Sequence, residues 1–144
     1  MYRQVCSARV TLVLLLVFLF AGSGLAAKDE KSLNKKCKSG VEVAMTFDSA
    51  KLVAFKPVEV TLKVVDAKGK PVADALIYCS FFMANYATGS NRPKFKPAGV
   101  DGLYSGMVFF SREGSWLGNL TINLPDGTFE EVTFEVDDVL PASS

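Results

Sequence analysis

Sulfur is the most chemically suggestive element in this sequence, because histidine is absent from all 144 residues. Without imidazole the chain lacks the commonest general base and the commonest metal ligand at once. What remains for a soft metal such as Cu(I) is thioether and thiolate: Met45, Met83 and Met107, with Cys37 and Cys79. No Met-x-x-Met or Cys-x-x-Cys spacing gathers them. Met45, Met83 and Cys79 also fall on apolar strand faces, where sulfur ordinarily fills core space. No resident cofactor is therefore expected, and a soft metal such as copper is the alternative this ligand chemistry would suit. Catalysis is not expected either. There is no nucleophile elbow and no phosphate-cradling glycine loop. Asp137 and Asp138 are adjacent on a strand, so they point to opposite faces and cannot pair as acid and base.

A binding surface is easier to find. Residues 84–99 form the longest loop in the domain, and they carry Tyr86, Arg92, Lys94, Phe95 and Lys96. Aromatic and cationic residues together are the composition enriched at protein interfaces, and a long loop in a small domain is often where function resides. The expected partner is an envelope or membrane protein. Nucleic acid is not an expected partner: 16 basic and 15 acidic residues leave a net charge of only +1, without the basic face that such a partner demands. Asn119-Leu120-Thr121 matches a glycosylation acceptor, but within an alternating run it reads as solvent-face polarity.

The compartment follows from residues 1–27. Arg3 and Arg9 form a basic start, Val10 to Ala21 is a nearly unbroken apolar run, and Gly22 to Ala27 supplies small residues for cleavage. This is a signal peptide, and the mature protein is expected to be periplasmic or otherwise exported. The apolar run is shorter than the ~20 residues of a comfortable span; if the leader stayed attached, it would anchor the domain in the inner membrane. Without Arg3 and Arg9 the chain has 14 cations against 15 carboxylates, a net charge of −1. Cys6 leaves with the leader. Cys37 and Cys79 are then an even pair in an oxidising compartment, and a disulfide between them is the favoured reading, worth roughly 3–4 kcal/mol in the loop-entropy model. Two reduced thiols, with Cys79 filling core space, are the alternative.

Positioning falls to strands. Residues 28–40 lack periodicity and read as a linker. From Val41 onward, Val41, Val43, Met45 and Phe47 share one face, and Val58, Val60, Leu62 and Val64 repeat the pattern. Period-two alternation rich in β-branched residues means half-buried strands. A third strand runs from Ala73 to Met83; its second face, Leu76, Tyr78 and Phe82, is also apolar and reads as covered. Leu103 to Phe110 follows, then a strand with Trp116, Gly118, Leu120, Ile122 and Leu124 on one face. Pro125-Asp126-Gly127 is a hairpin signal, returning the chain through Val132, Phe134 and Val136. Glu130 has inward parity, so a bulge is expected beside that turn.

Six to seven short strands at about ten-residue spacing, with no helix beyond the signal-peptide helix, predict an all-β fold: an antiparallel immunoglobulin-like β-sandwich. It should occupy residues 41–138, followed by a tail at 139–144. Trp116 is the expected centre of the core, with Tyr104 beside it filling the space between the sheets.

Two stretches carry a family likeness. Gly69 to Ala75, Gly-Lys-Pro-Val-Ala-Asp-Ala, resembles the opening of bacterial immunoglobulin-like and carboxypeptidase-regulatory-like modules. Gly102-Leu103-Tyr104, then Gly114-Ser115-Trp116-Leu117-Gly118-Asn119-Leu120-Thr121-Ile122, is similar to the paired motif of the YtkA-like and FixH-like domains. The likeness spans about residues 56–136. It implies a small non-catalytic domain outside the cytoplasmic membrane, in a group found beside heavy-metal efflux systems and, for FixH-like members, beside oxidase assembly and its copper pump. FixH-like proteins keep a membrane anchor, and here the leader reads as cleavable. A generic protein-interaction module with no metal role is the other reading.

Overall fold

Period-two alternation becomes two facing sheets. The computed structural model describes residues 29–89 and 91–143; the leader, residues 1–27, lies outside them. The strands are β1 (Lys31–Lys36), β2 (Glu42–Phe47), β3 (Pro57–Val65), β4 (Leu76–Phe82), β5 (Lys96–Pro97), β6 (Leu103–Phe109), β7 (Gly114–Asn123) and β8 (Phe129–Val139). One sheet has the order β1-β2-β3-β6-β5, the other β4-β7-β8, and every strand pair within them is antiparallel. The immunoglobulin-like sandwich read from the alternation is the fold observed.

Each inward row follows the alternation that announced it. Val43, Met45 and Phe47 of β2 and Val60, Leu62 and Val64 of β3 are buried, facing Phe81 of β4, Leu120 and Ile122 of β7, and Phe134 and Val136 of β8. Trp116 is 1% exposed. Its indole meets the Phe110 ring edge-on at 5.3 Å, and its N–H donates to the Arg112 carbonyl at 3.0 Å, so the large ring is buried without an orphaned donor. Gly118 lies among these rings for a steric reason: a Cβ there would come within 2.7 Å of the Phe81 ring.

Four local expectations are corrected. Residues 28–40 are not all linker, since Lys31–Lys36 form β1 along the whole length of β2. Five of its six residues are polar and its backbone ladder holds it, which is how a lysine-blunted edge strand escapes pattern reading. The strand expected from Ala73 starts at Leu76. The Tyr104 hydroxyl accepts from the Ala75 amide at 2.9 Å and donates to the Val72 carbonyl at 2.7 Å, pinning a corner in which Asp74 takes φ 57°. No bulge interrupts the register at Glu130, which pairs with Ile122; the irregularity is at the other end of the ladder, between Gly114 and Trp116. Finally, β4 is not covered on both faces. Leu76 and Tyr78 are 62% and 64% exposed.

Candidate functional site

The segment expected to be a free loop is laced into the fold. The Phe81 amide donates to the Asn91 carbonyl at 2.8 Å, and the Asn91 side chain donates to the Phe109 carbonyl at 2.9 Å. Lys94 forms an antiparallel bridge with Tyr78, and Lys96 pairs with Ser105 of β6. Residues 91–97 thus strap β4 of one sheet to β6 of the other and close that side of the sandwich. Phe95 is the strap's anchor, 9% exposed and laid on Gly106, where a Cβ would sit 2.8 Å from the Lys94 carbonyl oxygen and 3.2 Å from the Phe95 ring.

Burying Phe95 turns its neighbours outward. Arg92, Lys94 and Lys96 are exposed on the opposite face of the strap, consistent with extended backbone. They border a groove of about 620 Å³ whose floor carries Tyr78, Ser80, Asn119 and Thr121. Among the described residues no carboxylate lines this groove. The one ion pair among the described residues is elsewhere, between Lys36 and Glu42 at 2.9 Å. Asn119 accepts from the Thr133 hydroxyl at 2.8 Å, which leaves its amide N–H₂ free to donate. The groove can therefore receive negative charge from the cations while offering an exposed aromatic face and hydrogen-bonding groups beneath it.

Of the five loop residues expected to act together, the structure brings together the three cations. Phe95 is buried beneath them. Tyr86 is at the far end of the segment, where the Arg112 guanidinium stacks over its ring at 4.5 Å beside a second concavity of about 560 Å³ that Glu113, Glu135 and Asp137 help to line. Sequence reasoning missed Tyr78, whose apolar neighbours made it look covered, and Gly106, whose role as a seat depends on a contact with Phe95 eleven residues away. The signal available was the charge pattern: no Asp or Glu occurs between Asp74 and Asp101.

The sulfur atoms are dispersed. Met45 points into the core from β2, whereas Met107 is 61% exposed on the outer face of β6, in the same sheet. Met83 is packed at the end of the sandwich, near Gly114. Among the described residues no three His, Cys, Asp or Glu converge as a metal site. The disulfide expected between Cys37 and Cys79 is not formed; both are free thiols. Cys37 lies in the β1–β2 turn beside Glu130 of β8, and Cys79 is in β4, with β7 between those two strands. Two strand spacings are about 10 Å, beyond the ~7 Å limit for bridged Cα atoms. Burial pushes the Cys79 thiol up to about 12. Partial burial, and then the Glu130 carboxylate, raise that of Cys37. Neither thiol is poised to become the thiolate that a soft metal prefers.

The family model described as YtkA-like matches residues 38–121, more than half of the chain. Among solved structures, a DUF4426 family protein from Pseudomonas aeruginosa PAO1 is similar in fold, with a TM-score of 0.58 at 10% identity, covering 78% of this chain and 97% of that one. The ZirS C-terminal domain aligns at a TM-score of 0.43 and 14% identity over 92% of this chain and 86% of its own. The Lin-41 filamin domain aligns at 0.42 and 16% over 78% and 93%. No curated protein matches the chain.

Proposed function

Because the chain belongs to the YtkA-like family, we propose that it works as an exported, non-catalytic binding or accessory module of the bacterial envelope, holding a protein partner at the strap. The observation that carries this reading is the row of three exposed cations, Arg92, Lys94 and Lys96, along a groove lined by no carboxylate among the described residues. Unpaired cations at a rigid edge are costly neighbours for one another and favourable ones for an acidic partner. The apolar run and small residues of positions 1–27 support export. Any copper link belongs to the partner in this reading, since Met45 and Met107 face opposite sides of one sheet and the two thiols are held protonated.

A photo-crosslinking side chain placed at Lys94 in producing cells tests the proposal. The expected product is an adduct with an envelope or membrane protein, absent when the crosslinker replaces Lys63 on the outer face of β3. Mass spectrometry of the same material should find a chain beginning near Lys28. Equal adducts at both positions, or a mature chain still carrying its leader in the cytosol, would overturn the reading.

A further inference from the structure

We infer that the strap groove takes an extended acidic segment of a partner polypeptide, with carboxylates at alternate residues. This rests on the proposed role of the strap and adds the chemistry of its occupant. The cations alternate with Pro93 and the buried Phe95, so Arg92, Lys94 and Lys96 project from one face in steps of about 7 Å, twice the rise of extended backbone. Acidic side chains at every second residue of an extended peptide repeat at the same step. Among the described residues no carboxylate lines the groove and none of the three cations is ion-paired; Glu131 is one strand away, opposite Thr121 on β8. The exposed ring of Tyr78 adds an apolar anchor of the kind that concentrates binding energy.

The strap's backbone narrows the mode of recognition. Lys94 is already bridged to Tyr78 and Lys96 already paired with Ser105, so the backbone at these strap positions is already engaged within the fold. Side chains must recognise the partner there, and binding must weaken as salt rises. A second copy of this chain is the less favourable occupant. Its extended run of alternating acids, Glu131, Glu135 and Asp137, is already built into β8, where the Lys31 amine of β1 donates to the Asp137 carbonyl at 2.6 Å.

The test titrates the purified protein with a fluorescent peptide that alternates Glu and Thr, and with a peptide of the same composition whose glutamates are contiguous. Binding of the alternating peptide is expected to fall about tenfold in the variant R92S/K94S/K96S, the scale of three exposed ion pairs, and severalfold in Tyr78→Ala. The contiguous peptide should bind at least threefold more weakly than the alternating one. Trp116 fluorescence should stay unchanged in both variants, reporting an intact core. Equal binding of the two peptides, or of wild type and triple variant, overturns the inference. So does sedimentation showing that the groove mediates self-association, or saturation by polygalacturonate with no response to peptide. A strap crosslink in cells with no peptide discrimination removes this inference alone; peptide discrimination with no crosslink removes the proposed partner alone.

Discussion

Phe95 rests on Gly106, and the absence of a side chain at Gly106 is what lets the strap lie flat against β6. A Cβ there would meet the Lys94 carbonyl oxygen at 2.8 Å and the Phe95 ring at 3.2 Å. Backbone cannot yield to such a contact as a flexible side chain would. The groove's cations are thus placed by a residue that never touches the groove.

Gly106→Val should therefore lift the strap. Overpacking of this kind costs roughly 1–3 kcal/mol, which urea unfolding followed by Trp116 fluorescence would measure. Amide exchange at Lys94 and Lys96 should quicken while Val60 and Leu120 stay protected. A variant with unchanged exchange in the strap would show that Gly106 does not seat it.

Tyr104→Phe isolates the corner between β3 and β4. The hydroxyl satisfies the Val72 carbonyl and the Ala75 amide together. Removing it leaves buried backbone groups unpaired, at about 1–3 kcal/mol. The denaturant midpoint should drop with the slope unchanged, because no new surface is exposed in the native state.

How much of this was legible depends on what holds each element. β2, β3 and β7 bury one face against the opposite sheet, so their side chains alternate and the sequence displays them. β1 is held by its backbone ladder to β2, with Leu33 as its one apolar residue, and backbone bonding leaves no mark on composition. The strap is a similar case: its bonds to Phe81, Tyr78 and Ser105 join residues distant in the chain, and only Phe95 betrays an inward face. Glu130 has the inward parity of a core residue, yet it lies at the rim beside Cys37, where a carboxylate is tolerated and no bulge is required. The cysteines show the limit of counting: an even number permits a disulfide, whereas strand order decides whether two side chains can meet.

Trp116 gives a direct check of the core. With the indole 1% exposed, its emission should be blue-shifted and resist iodide quenching until the protein unfolds. Trp116→Ala should cost about 3–5 kcal/mol, the range for large aromatic truncations in a packed interior. Strong quenching in native buffer would contradict the burial.

Cys79 should make stability depend on alkaline pH. Its thiol is raised by burial from an ordinary value of 9.0 to about 12, so the folded protein holds the proton that the unfolded chain releases. The stabilisation is fully present below pH 9 and declines as pH climbs from 9 towards 12, at about 1.4 kcal/mol per pH unit for one such group. Subtracting the same profile for Cys79→Ala removes the contribution of tyrosines and lysines, and the remaining difference should slope downward only above pH 9. At pH 8 a thiol reagent should modify Cys37 first and reach Cys79 only on unfolding, because the thiolate is the reactive form and Cys79 is both protonated and enclosed. Equal modification rates for the two thiols in the native state, or a flat difference profile between pH 9 and 11, would rule out the buried protonated thiol.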